Sequence, residues 1–138
     1  MKNIPVHVVS GFLGAGKTTF LLRQLEARQG IERCAIVVND FGEASLDATI
    51  LGQHAPIREI PGGCICCTAP EGLVPALSEL IATQSPDRVF IETTGLARPA
   101  DVIDTVRRSG LKTVCVGATV VLVDPDRFAQ SPSPLLME

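Results

Sequence analysis

The 138-residue chain has no tryptophan and no tyrosine, and its large aromatics are five phenylalanines. A platform for stacking the bases of a nucleic acid is therefore missing. Positive charge is not in excess either. Twelve Lys and Arg against fifteen Asp and Glu leave a net charge of −3, which argues against nucleic acid or an anionic membrane as the main partner. No apolar run reaches the length of a membrane span, and Met1-Lys2-Asn3 leads straight into a strand-like stretch without a leader pattern, so the expected setting is the cytoplasm. The two histidines, His7 and His54, lack ligand-like spacing. Five cysteines in a reducing compartment do not suggest a disulfide framework; three of them, Cys64, Cys66 and Cys67, fall within four residues and point to metal or redox chemistry. The length predicts one domain, taken as residues 1–128, followed by an unstructured tail over 129–138.

What the chain does contain is organised around Gly11-Phe12-Leu13-Gly14-Ala15-Gly16-Lys17-Thr18-Thr19, which fits G-x-x-x-x-G-K-[ST]. Its three glycines let backbone wrap a phosphate closely and adopt positive φ. The N–H groups of such a loop form an anion nest at the positive end of the helix that follows. Lys17 adds a cation for the β- and γ-phosphates, and the Thr18 hydroxyl is placed to coordinate Mg²⁺. The flanks agree: Ile4 to Ser10 reads as a buried parallel strand, and Thr18 to Arg28 as an amphipathic helix with Phe20, Leu21, Leu22 and Leu25 on one side. This combination predicts a site for a nucleoside triphosphate.

Strands and helices then alternate. Cys34–Val38 predicts a second strand running into the polar loop Asn39-Asp40-Phe41-Gly42-Glu43, and residues 44–54 a loop with one helical turn. Ile57–Ile60 reads as a short edge strand. Pro70 is expected to open a helix carrying Leu73, Val74, Leu77, Leu80 and Ile81. Arg88–Glu92 reads as a central strand and Pro99 as the start of another helix, stopped by Gly110. Leu111 to Val123 holds one strand or a short pair, after which Asp124-Pro125-Asp126 turns the chain away. The pattern predicts an α/β fold with a mostly parallel sheet covered by helices on both faces.

Ligands of such sheets sit at the C-terminal ends of the strands. Glu92 ends an apolar strand there and is the expected acid facing the phosphate loop, with Gly95 close behind. Asp40 and Glu43 could reach a metal or water near the γ-phosphate, or be solvated loop carboxylates. Cys64-x-Cys66-Cys67 suits a soft or borderline metal; redox thiols and unliganded thiols are the alternatives. In an extended chain Cys64 and Cys66 would share one face, and Gly62-Gly63 would let the loop curl to bring Cys67 in.

Together these residues resemble the nucleotide-binding domain of the CobW-type metal-handling P-loop GTPases (the CobW/HypB/UreG group), over Ile4 to about Phe128. The resemblance rests on Gly11–Thr19, Asn39–Glu43, Gly62–Cys67, Glu92-Thr93-Thr94-Gly95 and Val123-Asp124. It implies slow GTP hydrolysis coupled to loading Zn²⁺, Co²⁺ or a similar transition metal into a client metalloprotein. Carried over, Gly11, Gly14, Ala15, Gly16, Lys17, Thr18, Thr19 and Gly95 surround the nucleotide. Thr18 and Glu92 serve Mg²⁺, Lys17, Glu92, Asp40 and Glu43 serve catalysis and switching, and Cys64, Cys66 and Cys67 hold the cargo metal. The family's guanine-reading Asn-Lys-x-Asp does not occur here, where the asparagines are Asn3 and Asn39. The expectation is an N-terminal portion of a longer protein that discriminates poorly between GTP and ATP. A P-loop kinase of a small metabolite or a non-catalytic metal-binding remnant are the competing classes.

Overall fold

The structure, a computed structural model, describes residues 3–40, 49–61, 65–93, 95 and 97–130. Five strands, β1 (Ile4–Gly11), β2 (Cys34–Asp40), β3 (Ile57–Pro61), β4 (Arg88–Glu92) and β5 (Val114–Leu122), form one sheet in the order β3-β2-β4-β1-β5. Every pairing is parallel. The helices are α1 (Lys17–Glu26), α2 (Ile65–Gln84), α3 (Pro99–Arg108) and α4 (Pro125–Gln130), with a further helical segment over 49–52. The α/β fold with an all-parallel sheet is therefore as its sequence implies.

Parallel strands need both faces covered, and β2 shows how its apolar run divides. Ala35 and Val37 join the core formed with Leu73, Ala76, Leu77 and Leu80 of α2 and Val102 and Val106 of α3. Cys34, Ile36 and Val38 join the opposite core with Leu21 and Leu25 of α1, Leu51 and Ala55. On β4, Phe90 belongs to the α1 side while Val89 and Ile91 belong to the other, so Glu92 falls by alternation on the α1 side. None of the helices among the described residues is long and apolar enough to cross a membrane.

Two expectations need correction, and one open alternative is resolved. Helix α2 begins at Ile65, not Pro70, so Pro70 and Pro75 both lie inside it. Each proline removes one backbone hydrogen bond. Burial of Leu73, Ala76, Leu77 and Leu80 against the sheet supplies the stabilisation that keeps the segment helical. A Cβ on Gly72 would stand 2.7 Å from Ile60 Cγ2, so the helix can lie this close to β3 because residue 72 has no side chain. Of the one strand or short pair expected over Leu111–Val123, the single strand is what forms; it ends at Leu122, with a register irregularity opposite Val6–Val8 where Gly117 makes room for the His7 ring. The other correction is that Pro125 starts a short helix instead of a simple turn, and this helix continues two residues past the boundary set at 128.

Candidate nucleotide and metal site

Strand β1 delivers Gly11 to the C-terminal edge of the sheet, where the loop over residues 12–16 begins. Gly11, Gly14 and Gly16 have φ of 144°, 77° and 96°, values that side chains rarely adopt. Gly11 is also sterically required: a Cβ there would lie 2.5 Å from the Leu122 carbonyl oxygen of β5. Gly16 is the N-cap of α1 and no side chain caps this end, which leaves first-turn N–H groups for an anion. The loop closes on itself through Ala15 N–H donating to Phe12 O at 3.1 Å.

Lys17 does not point into solvent. Its Nζ donates to Gly11 O at 2.8 Å and Phe12 O at 3.1 Å, holding the start of the loop from its carbonyl side. Arg127 of α4 does the same one residue further on, with Nη1 donating to Leu13 O at 2.7 Å. Sequence reasoning missed Arg127 altogether. No motif marks it, and its partner lies 114 positions away.

Glu92 ends β4 with 9% of its surface exposed, between Val9 of β1 and Val38 of β2. Thr93 follows, fully buried, its N–H and hydroxyl both donating to Val9 O at 2.9 and 3.4 Å. Gly95 then lies directly on the loop: a Cβ there would be 2.9 Å from Phe12 Cα and 3.2 Å from Gly11 O. The structure therefore brings Gly11–Thr19, Glu92 and Gly95 to one place. Asp40 ends β2 at the same edge, in register with Pro61 of β3.

Glu43 and Cys64 lie outside the described residues. Cys66 and Cys67 occupy the first turn of α2, so the extended-chain arrangement expected for Cys66 does not hold. Among the described residues no group of three His, Cys, Asp or Glu side chains is arranged to hold a metal ion.

The opposite edge of the sheet is built from side chains. Arg88 Nε and Nη2 donate to Glu32 at 2.8 and 3.2 Å, and this hydrogen bonding holds the Glu32 carboxyl below its ordinary pKa. Arg28 adds a contact to Glu32 at 3.4 Å, and Arg33 meets Asp87 at 3.4 Å. His7 accepts the Ala118 N–H at Nδ1 and meets Arg88 Nη1 at Nε2. Burial first, and the Arg88 charge second, push its pKa below the usual value. Burial likewise raises that of the Cys34 thiol.

Against known proteins, the family model described as the CobW/HypB/UreG nucleotide-binding domain matches residues 5–136. The chain is similar to the zinc chaperone CobW of Pseudomonas aeruginosa, at 37% identity over 94% of this chain and 37% of that protein. It is similar to the zinc chaperone YeiR of Escherichia coli K12, at 36% identity over 86% of this chain and 37% of that protein. A third relative is the zinc-regulated GTPase metalloprotein activator 1 of Dictyostelium discoideum, at 32% identity over 75% of this chain and 25% of that protein. The chain thus spans little more than a third of the two bacterial relatives.

Proposed function

The chain belongs to the CobW/HypB/UreG nucleotide-binding family, and from that premise we propose that it is the GTP-binding part of a metal carrier. In this reading it hydrolyses GTP slowly and uses nucleotide state to control a zinc or similar ion destined for a client metalloprotein. The observation that carries the proposal is the seating of Gly95 on the Gly11–Phe12 backbone, just after the buried Glu92. Any change in the loop on binding a triphosphate is felt at once by the segment that carries this acid.

Each residue's part follows from chemistry. The positive-φ glycines turn backbone N–H groups toward the phosphates, Lys17 shares its ammonium between the loop carbonyls and the β/γ-phosphates, and Thr18 offers its hydroxyl to Mg²⁺. Mg²⁺, when bound, neutralises charge on the phosphate oxygens. In this reading Glu92 orients the ion's water shell, with Asp40 and Glu43 acting from the neighbouring loop. Cys64, Cys66 and Cys67 are the cargo ligands in this proposal. They follow β3, whose Pro61 pairs with Asp40, so the path from nucleotide to cysteines is two strands wide. Zinc chaperones and a zinc-regulated GTPase among the relatives support zinc as the cargo.

The test is thermodynamic linkage. Zn²⁺ affinity measured by competition, with and without a non-hydrolysable GTP analogue, should differ by about 5-fold to 150-fold, and GTP affinity should respond to Zn²⁺ by the same factor. Cys66→Ser with Cys67→Ser should abolish metal binding while sparing nucleotide binding. Equal Zn²⁺ affinities in the two states would reduce the molecule to two independent sites.

A further inference from the structure

Three consecutive carbonyls at the start of the nucleotide loop are held by two cations: Gly11 O and Phe12 O by Lys17, and Leu13 O by Arg127. In a planar trans peptide the C=O and the following N–H point in opposite directions. A carbonyl tied to a cation therefore fixes the direction of the next N–H, which points the opposite way. Lys17 fixes in this way the N–H groups of Phe12 and Leu13, and Arg127 fixes that of Gly14. The 13–14 peptide is the one most in need of such a restraint, because Gly14 at φ 77° tolerates several backbone states.

We infer that Arg127 is a positioning residue of the nucleotide site, holding the Leu13–Gly14 peptide in the orientation that presents the Gly14 N–H to a phosphate. The inference rests on the reading of this loop as a triphosphate site. Its importance grows on binding. Lys17 must then divide its three donors between carbonyls and phosphates, whereas Arg127 is free to keep its grip on Leu13. The guanidinium is brought there by the fold. Leu122 of β5 is in register with Gly11, and two residues later Asp124 Oδ1 accepts the N–H groups of Asp126 at 3.0 Å and Arg127 at 3.3 Å. Asp124 O accepts the Phe128 N–H at 2.9 Å, so the turn of α4 that carries Arg127 is fixed from both ends of Asp124. Nη1 reaches the loop close enough to lie 3.9 Å from where a Gly14 Cβ would be.

The experiment follows release of a fluorescent GTP analogue with Mg²⁺ from the full chain by stopped flow, beside equilibrium titration and thermal melting without nucleotide. Arg127→Ala should release the analogue about fivefold to tenfold faster and bind it correspondingly more weakly. Arg127→Lys, which keeps one charged donor for Leu13 O, should recover most of the parent's release rate. Melting of the nucleotide-free protein should not move, since Arg127 is exposed, so a loss confined to the nucleotide kinetics separates positioning from a plain stability contact. Two results overturn the inference while leaving the triphosphate site intact: release from Arg127→Ala at the parent's rate while Lys17→Ala abolishes binding, or Arg127→Lys as defective as Arg127→Ala. The second would mean that the guanidinium acts on the nucleotide itself. A parent chain that binds no triphosphate would remove the site and this inference with it.

Discussion

At the N-terminal end of the sheet, charged side chains answer one another: Arg88 with Glu32, Arg28 with Glu32, Arg33 with Asp87, His7 between Ala118 and Arg88. At the C-terminal end the same strands run out into glycine-rich backbone, and the cations Lys17 and Arg127 hold carbonyls instead of carboxylates. The first arrangement is closed, because each of its guanidiniums already meets a carboxylate. The second turns loop N–H groups inward and keeps the Lys17 ammonium within reach of an incoming anion, while Arg127 stays on the Leu13 carbonyl. Charge that meets a carboxylate serves stability, and the Lys17 ammonium, parked on neutral carbonyls, is available for binding.

The sharpest way to break this contrast is Lys17→Ala. Triphosphate affinity measured by titration should fall at least about hundredfold, as expected when a charge-assisted contact to phosphate is lost from a site built around it. Melting of the nucleotide-free chain should stay close to the parent's. Undiminished affinity would show that the loop is no better a ligand site than the opposite edge.

Gly11→Ala should act on stability as well, by about 2–3 kcal/mol in denaturant titration, since the new Cβ meets the Leu122 carbonyl and the backbone angle is unfavourable. Gly30→Ala is the control: its φ is 76° but nothing lies within 4 Å, so only the backbone cost of about 1 kcal/mol applies. Similar losses at both positions would mean that contact with β5 does not constrain the loop.

The smallest effect belongs to the closed end and to pH. His7 has a folded pKa below its ordinary 6.5, so the unfolded chain binds the proton more readily and stability declines as pH falls from about 6.5 toward the folded value. Glu32, with a folded pKa below 4.5, contributes stability above that value and loses it as pH falls through the folded pKa. Glu32→Gln should cost about 1 kcal/mol or less near neutrality, because the pair is partly solvated, and should flatten the lower acid limb. Nucleotide affinity should not change with Glu32→Gln; a parallel loss would show that the two ends of the sheet are coupled.

The loop was legible because its requirements are local: three glycines, a lysine and a threonine at fixed spacing between a strand and a helix. Glu92 was legible for a related reason, as the polar end of the apolar run Val89-Phe90-Ile91. Contacts between distant backbone and side chains were not. Nothing near Lys17 says that its ammonium folds onto Gly11 and Phe12, and nothing near Arg127 names Leu13. The start of α2 was misread because proline at position 70 carries a strong local signal for a first turn. Burial along Leu73–Leu80, a tertiary effect, outweighs that signal.

Gly72 has a mechanical consequence for the cysteines. It is the point where α2 touches down on β3, and it lies six residues, about 9 Å along the axis, from Cys66. With this contact as a fulcrum, a tilt of about 10° displaces the backbone at Cys66 by roughly 1.6 Å, by the same helical rise. Metal–ligand distances are held to about 0.2 Å. Under the zinc-carrier reading, the missing side chain at residue 72 thus gives α2 the leverage of a short crowbar: a small rocking at the sheet becomes a movement several times larger than the cargo bond tolerates.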